Sequence, residues 1–195
     1  MLRIRLLPAL LGPLLASFLI TSPADGSIVQ ALELDELATE ADQIILGRVL
    51  FSESFQHRNG QLGTWHRIGI EQEVAGQAPT EDEIIVETLG GRIGDVTMRV
   101  EGEARFSIGE RVLVFIQGGG PYSASRAVGM GQGVMRVRME QGVETVRQSR
   151  EGLMLVRRDA QGRLKRSRGA LPEPERLDAL LEKLREISAN RGGGR

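Results

Sequence analysis

The run Val112-Leu113-Val114-Phe115-Ile116 constrains the fold of this chain more than any other stretch. Five consecutive apolar residues leave no side for water, so a strand here has to be buried on both faces. It closes a longer block, Asp82 to Gln117, in which an apolar strand (Ile84-Ile85-Val86) and an alternating one (Val96, Met98, Val100) flank Gly90-Gly91-Arg92-Ile93-Gly94. Glycine clusters between strands mark positive φ or close backbone approach. The segments on either side read as cover for these strands.

The chain has 195 residues, enough for one domain of ordinary size. Residues 1–26 have the layout of a secretory signal peptide: Arg3 and Arg5, an apolar stretch from Leu6 to Ile20, then small residues at Ser22, Ala24 and Gly26. The stretch is short for a membrane span and contains Gly12 and Pro13, so we expect an exported chain, periplasmic or secreted, with no transmembrane span after cleavage. The chain contains no cysteine, which excludes disulfides, a lipid-anchored cysteine and thiolate metal sites. A formal charge of −1 supplies no general field for nucleic acid.

Leu34, Leu37, Ala38 and Ala41 follow helical spacing and predict a short helix over 33–41. A long strand from Ile44 to His57 follows, then Asn59-Gly60, the strongest short hairpin signal. A two-residue type I′ turn sets Arg58 against Gln61, Val49 against Ile70, Phe51 against Ile68 and Arg48 against Glu71. Downstream, a glycine-studded strand is expected from Ala127 to Val134, continuing through Met135, Val137 and Met139 and pairing with Val143 to Val146. Leu153 to Val156 is a candidate last strand. Pro172-Glu173-Pro174-Glu175 opens an amphipathic helix carrying Leu177, Leu180, Leu181, Leu184 and Ile187, and residues 191–195 form a disordered tail.

About seven strands with helices only at the ends predict a mainly β, compact antiparallel barrel or sandwich over residues 27–190. Interior glycines favour the barrel, and Gly60, Gly90, Gly91, Gly94, Gly109, Gly129 and Gly133 are assigned structural roles.

Ala41-Asp42-Gln43-Ile44-Ile45-Leu46-Gly47-Arg48-Val49 resembles the opening of a group of uncharacterised exported bacterial proteins. Gly90-Gly91 with Gly94, Phe106 to Phe115, and Val128-Gly129 followed by Gln132-Gly133 are similar to their later blocks. The resemblance covers about residues 32–190 and implies an OB-like barrel similar to the domain of netrins and tissue metalloprotease inhibitors. It implies no activity. Those inhibitors act through an amino-terminal cysteine, which this chain lacks.

Catalytic, cofactor and metal chemistry find little purchase in the sequence. His57 and His66 are expected on one hairpin face, with Glu53 opposite His66 and about 13 Å of strand separating Glu53 from His57. That spacing keeps the histidines from sharing a metal and leaves a Glu53–His66 surface pair. Gly129-Met130-Gly131-Gln132-Gly133 has no helix after it and so is no phosphate cradle. No Gly-x-Ser-x-Gly occurs, and Ser123 and Ser125 have no histidine near them in sequence. Glu81-Asp82-Glu83 reads as a solvated edge. Residues 147–168 hold eight Lys/Arg against two acids, a candidate contact for an anionic envelope component, while one Tyr and one Trp are too few for a nucleic-acid stacking platform. The expected function is an exported interaction or accessory module of the envelope, contacting an envelope protein or an anionic component. The alternative is an envelope hydrolase with an unrecognised site.

Overall fold

The computed structural model describes residues 26–76, 81–119 and 124–192; the expected signal peptide lies outside them except for Gly26. In chain order the elements are β1 (Ser27–Gln30), α1 (Leu34–Glu40), β2 (Gln43–Gln56), β3 (Leu62–Gly76), β4 (Glu83–Leu89), β5 (Gly91–Ile93), β6 (Val96–Met98), β7 (Arg111–Gln117), β8 (Arg126–Ala127), β9 (Val134–Glu140), β10 (Val143–Gln148), β11 (Leu153–Arg158), β12 (Leu164–Arg166), β13 (Glu175–Arg176) and α2 (Leu177–Gly192). The protein is mainly β, with antiparallel sheets and two helices, as its sequence predicts. The main sheet runs β13-β10-β9-β7-β2-β3-β4 with β8 added to β7. A small sheet orders β1-β11-β12, and β5 pairs with β6 as a separate hairpin.

β7 sits in the middle, hydrogen-bonded to β2 on one side and to β9 on the other. Leu113 and Phe115 point into a core shared with α1 and α2, among Leu37, Ile44, Leu46, Met135, Leu180 and Leu184. Val112, Val114 and Ile116 point the other way, among Ile45, Val49, Ile68, Val86 and Val134. All five are buried, which is why the run has no polar residue. The leucine stripe of α2 covers the first core, as its helical spacing requires.

Several local expectations give way to different geometry. The Asn59-Gly60 turn is not type I′: among the described non-glycine residues only Met130 and Gln141 have positive φ, so Asn59 is not left-handed. His57 N–H donates to the Gln61 carbonyl at 2.8 Å and Gly60 N–H to the His57 carbonyl at 2.9 Å. Arg58 and Asn59 therefore form the turn, and Gly60 (φ +87°) follows as the left-handed residue of a three-residue loop. A bulge between Val49 and Phe51 shifts the pairing again. Val49 faces Ile68 and Phe51 faces Arg67, while the Arg48–Glu71 ion pair still forms at 3.2 Å.

The expected strand from Ala127 to Val134 is broken. Gly129 (φ +60°) and Met130 (φ +62°) turn the chain into a 3-10 segment, Met130–Gly133. Gly133 is needed there for space, since a Cβ would sit 2.4 Å from the Val128 carbonyl oxygen. Of the other glycines assigned structural roles, all six have positive φ. The segment also places Gln132 in the interior, where its carboxamide accepts from Leu32 N–H and donates to the Gln30 carbonyl, each at 3.0 Å. This ties β1 to the main sheet; β1, an element the sequence does not announce, pairs parallel with β11, where the strand expected at Leu153 to Val156 lies. At the far end, Glu175 and Arg176 pair with β10, so α2 begins only at Leu177 and continues to Gly192, into the expected tail.

Phe115→Ala should destabilise the protein by about 3–5 kcal/mol, because it empties the middle of a fully buried face. Denaturant unfolding measures this; a loss below about 1 kcal/mol would place β7 at the periphery.

Candidate binding cleft

The bulge at Leu50 determines which side chains meet solvent. Strict alternation from buried Val49 would turn Phe51 inward. The extra residue instead leaves both Leu50 and Phe51 outside and turns Ser52 towards His66. From there Phe51, Glu53 and Phe55 share the outer face of β2, with His57 just beyond its end. The register adds Gly63, Trp65 and Arg67 from β3, and Ile85 and Glu87 from β4.

This face carries the one tryptophan of the chain. Trp65 stacks on Phe55 with ring centroids 4.1 Å apart and planes 24° apart, and Phe55 in turn meets the His57 ring edge-on at 4.6 Å. Gly63 makes room for the arrangement, since a Cβ there would come within 2.9 Å of both Phe55 and His57. The Arg67 guanidinium lies 5.5 Å from the centre of the Phe51 ring. Phe51 and Trp65 are each 44% exposed and Ile85 55%.

Beside Trp65 opens a cleft of about 620 Å³ lined by Arg67, Glu81, Glu83, Ile85, Glu87 and Ser125, among others. Arg67, Glu83 and Glu87 are held by partners. Arg67 pairs with Glu83 at 3.3 Å. Glu87, only 6% exposed, accepts from the Arg126 guanidinium at 2.6 Å, and His57 Nε2 lies 3.4 Å from the same oxygen. The Glu87 backbone N–H donates to the Ser125 carbonyl at 2.8 Å, which joins the β4 edge to the strand leading into β8.

His66 is not part of this face. Glu53 stands opposite Trp65, and His66 stands opposite Ser52 on the inner side, so the expected Glu53–His66 pair does not assemble. The one-residue shift of register is the reason. His66 is 5% exposed, with hydrogen bonds linking Nδ1 to Ser52 Oγ (2.8 Å) and Nε2 to Thr88 Oγ1 (2.9 Å), and Phe106 packs on the ring. Burial lowers its pKa to about 4. A second cavity of about 410 Å³ borders His66, Thr88, Glu103 and Phe106 under the β5–β6 hairpin. There, burial pushes the Glu103 carboxyl upward against backbone N–H bonds that pull it down.

A histidine that titrates near 4 has little proton affinity left for base catalysis at neutral pH. His57 Nε2 is buried without a hydrogen-bond partner among the described residues, 3.4 Å from Glu87 Oε1. Ser123 lies outside the described residues, and Ser125 is committed to the β4 edge through its backbone. No group of three or more His, Asp or Glu side chains among the described residues is placed to hold a metal ion. Much of the basic charge between 147 and 168 is matched internally: Arg157 by Glu33 and Glu36, Arg163 and Lys165 by Asp159, Arg168 by Glu173. No described helix is long and apolar enough to cross a membrane. Sequence reading missed Trp65, Phe55 and Glu87 as neighbours, and their spacing on three strands offers no local motif. Comparison with protein-family models, curated proteins and solved structures finds no match to this chain.

The buried histidine makes stability pH-dependent. Folded His66 titrates near 4 and the unfolded residue near 6.5, so between those values the unfolded chain binds more protons. Its stabilisation is complete above pH 6.5 and is lost as pH falls towards 4, by about 3 kcal/mol. Glu103 acts in the opposite sense, so the quantity to measure is the difference between wild type and His66→Gln in unfolding melts across this range. A difference that does not change with pH would place His66 in water.

Proposed function

We propose that the protein is an exported, non-catalytic binding module of the cell envelope that engages its ligand through the Trp65 face. What carries this reading is one feature: an outward cluster of Phe51, Trp65 and Ile85 beside a cleft in which Arg67, Glu83 and Glu87 are already held by intramolecular partners. Half-exposed aromatic rings fixed by stacking lose little freedom when a ligand arrives, so they favour binding. Export is supported by the apolar amino-terminal layout. The accompanying fold reading is an OB-like barrel, supported by the path β7-β2-β3-β4 together with β8, which pairs with β7 while neighbouring Ser125 bridges Val86. The hydrolase alternative is weakened by the low proton affinity of His66 and by its inward position.

The test compares surfaces. Wild type, Trp65→Ser with Ile85→Ser, and Ile108→Ser with Met139→Ser (exposed residues of a different cleft) are immobilised and exposed to the envelope fraction of the native host. The envelope component retained by wild type should be lost from the Trp65 variant and kept by the Ile108 variant. Retention that survives the Trp65 change and fails with the Ile108 change would move the binding surface to the other cleft.

A further inference from the structure

We infer that the Trp65 cleft takes a neutral saccharide; this rests on the reading of that cleft as the ligand-contact surface and names its ligand class. Three features of the cleft discriminate between ligands. The first is charge: among the described residues Glu81, Glu83 and Glu87 line it against Arg67, with Arg126 paired to Glu87, which leaves the lining weakly acidic and disfavours phosphates, nucleic acids and acidic glycans. The second is the backbone: Glu87 N–H is already bonded to the Ser125 carbonyl, so at that point an extended peptide cannot add itself to β4 as a further strand. The third is the mixture of surfaces: a half-exposed indole and Ile85 lie beside carboxylates and a guanidinium that would be costly to desolvate under a purely apolar ligand.

A pyranose ring answers all three. Its C–H face is apolar and flat enough to lie on an aromatic ring, and its rim of hydroxyls both donates and accepts hydrogen bonds. Trp65 is set for such stacking because Phe55 fixes its orientation at 4.1 Å. Glu83 and Arg67, held 3.3 Å apart by their own ion pair, offer an acceptor and donors in fixed positions. Glu87 is oriented by Arg126 at 2.6 Å. The cleft, about 620 Å³, falls within the range of small-molecule sites.

The test is an array of neutral and acidic glycans, followed by calorimetry with the neutral oligosaccharides that score, alongside heparin and a lysine-rich peptide. Saturable binding of a neutral oligosaccharide is expected, weakened about tenfold or more in Trp65→Ala. Arg67→Ala, an exposed change, should weaken it as well, while heparin should not bind. Binding of the lysine-rich peptide with none of any neutral glycan would overturn the inference and leave the Trp65 face as a protein-contact surface. The same holds if no probe binds while the envelope component is still retained through Trp65. Saccharide binding that is unchanged in both variants would also overturn it, since the sugar would then sit elsewhere.

Discussion

The structure depends on one strand that has no solvent side. β7 separates two cores, and its alternate residues serve each in turn: Leu113 and Phe115 the helices, Val112, Val114 and Ile116 the space under β3 and β4. Burying an aliphatic or aromatic side chain of this size contributes about 1.5–3 kcal/mol each. Among the described residues no other run of five buries five large apolar side chains. The helices can be short and terminal because β7 gives them a continuous apolar surface to cover. The first half of β2 is under the same constraint, with Ile44 and Leu46 in one core and Ile45 and Val49 in the other.

The second half of β2 escapes that constraint, and the candidate cleft is the consequence. Once the bulge at Leu50 has inserted its extra residue, serines face inward and phenylalanines outward. A strand that buried Phe51 would have no aromatic surface to offer. The bulge exchanges some apolar burial for a face that can be used, a role bulges commonly play beside functional surfaces. The inner serine then meets His66, whose buried ring is satisfied by hydroxyls on both sides. The bulge therefore sets what faces both the exposed indole of Trp65 and the buried imidazole of His66.

Much of the architecture was legible from periodicity, because periodicity reports burial. The unbroken run of β7 and the leucine stripe of α2 stand where the pattern puts them, and in β9 Met135 and Val137 are buried as expected while Met139 is exposed. The features that escaped are those set by single backbone torsions. Asn59 declines the left-handed conformation, which changes the loop from two residues to three. Met130 adopts it, which replaces a strand with a 3-10 segment. β1 escaped because its partner β11 lies more than a hundred residues away and runs parallel to it, so no turn signal links them. The cleft was hidden for a related reason: Glu53–His66 followed from a register that one bulge was enough to displace, and Trp65 and Glu87 become neighbours only through the true register.

Native-state hydrogen exchange tests the central place of β7 most directly. If β7 holds the two cores together, the amides of Leu113 to Ile116 and their β2 partners exchange only through global unfolding. Amides of β12, exposed along its whole length, exchange through local opening at far lower free energy. Exchange of the β7 amides by a local opening, at a free energy well below that of global unfolding, would contradict the account.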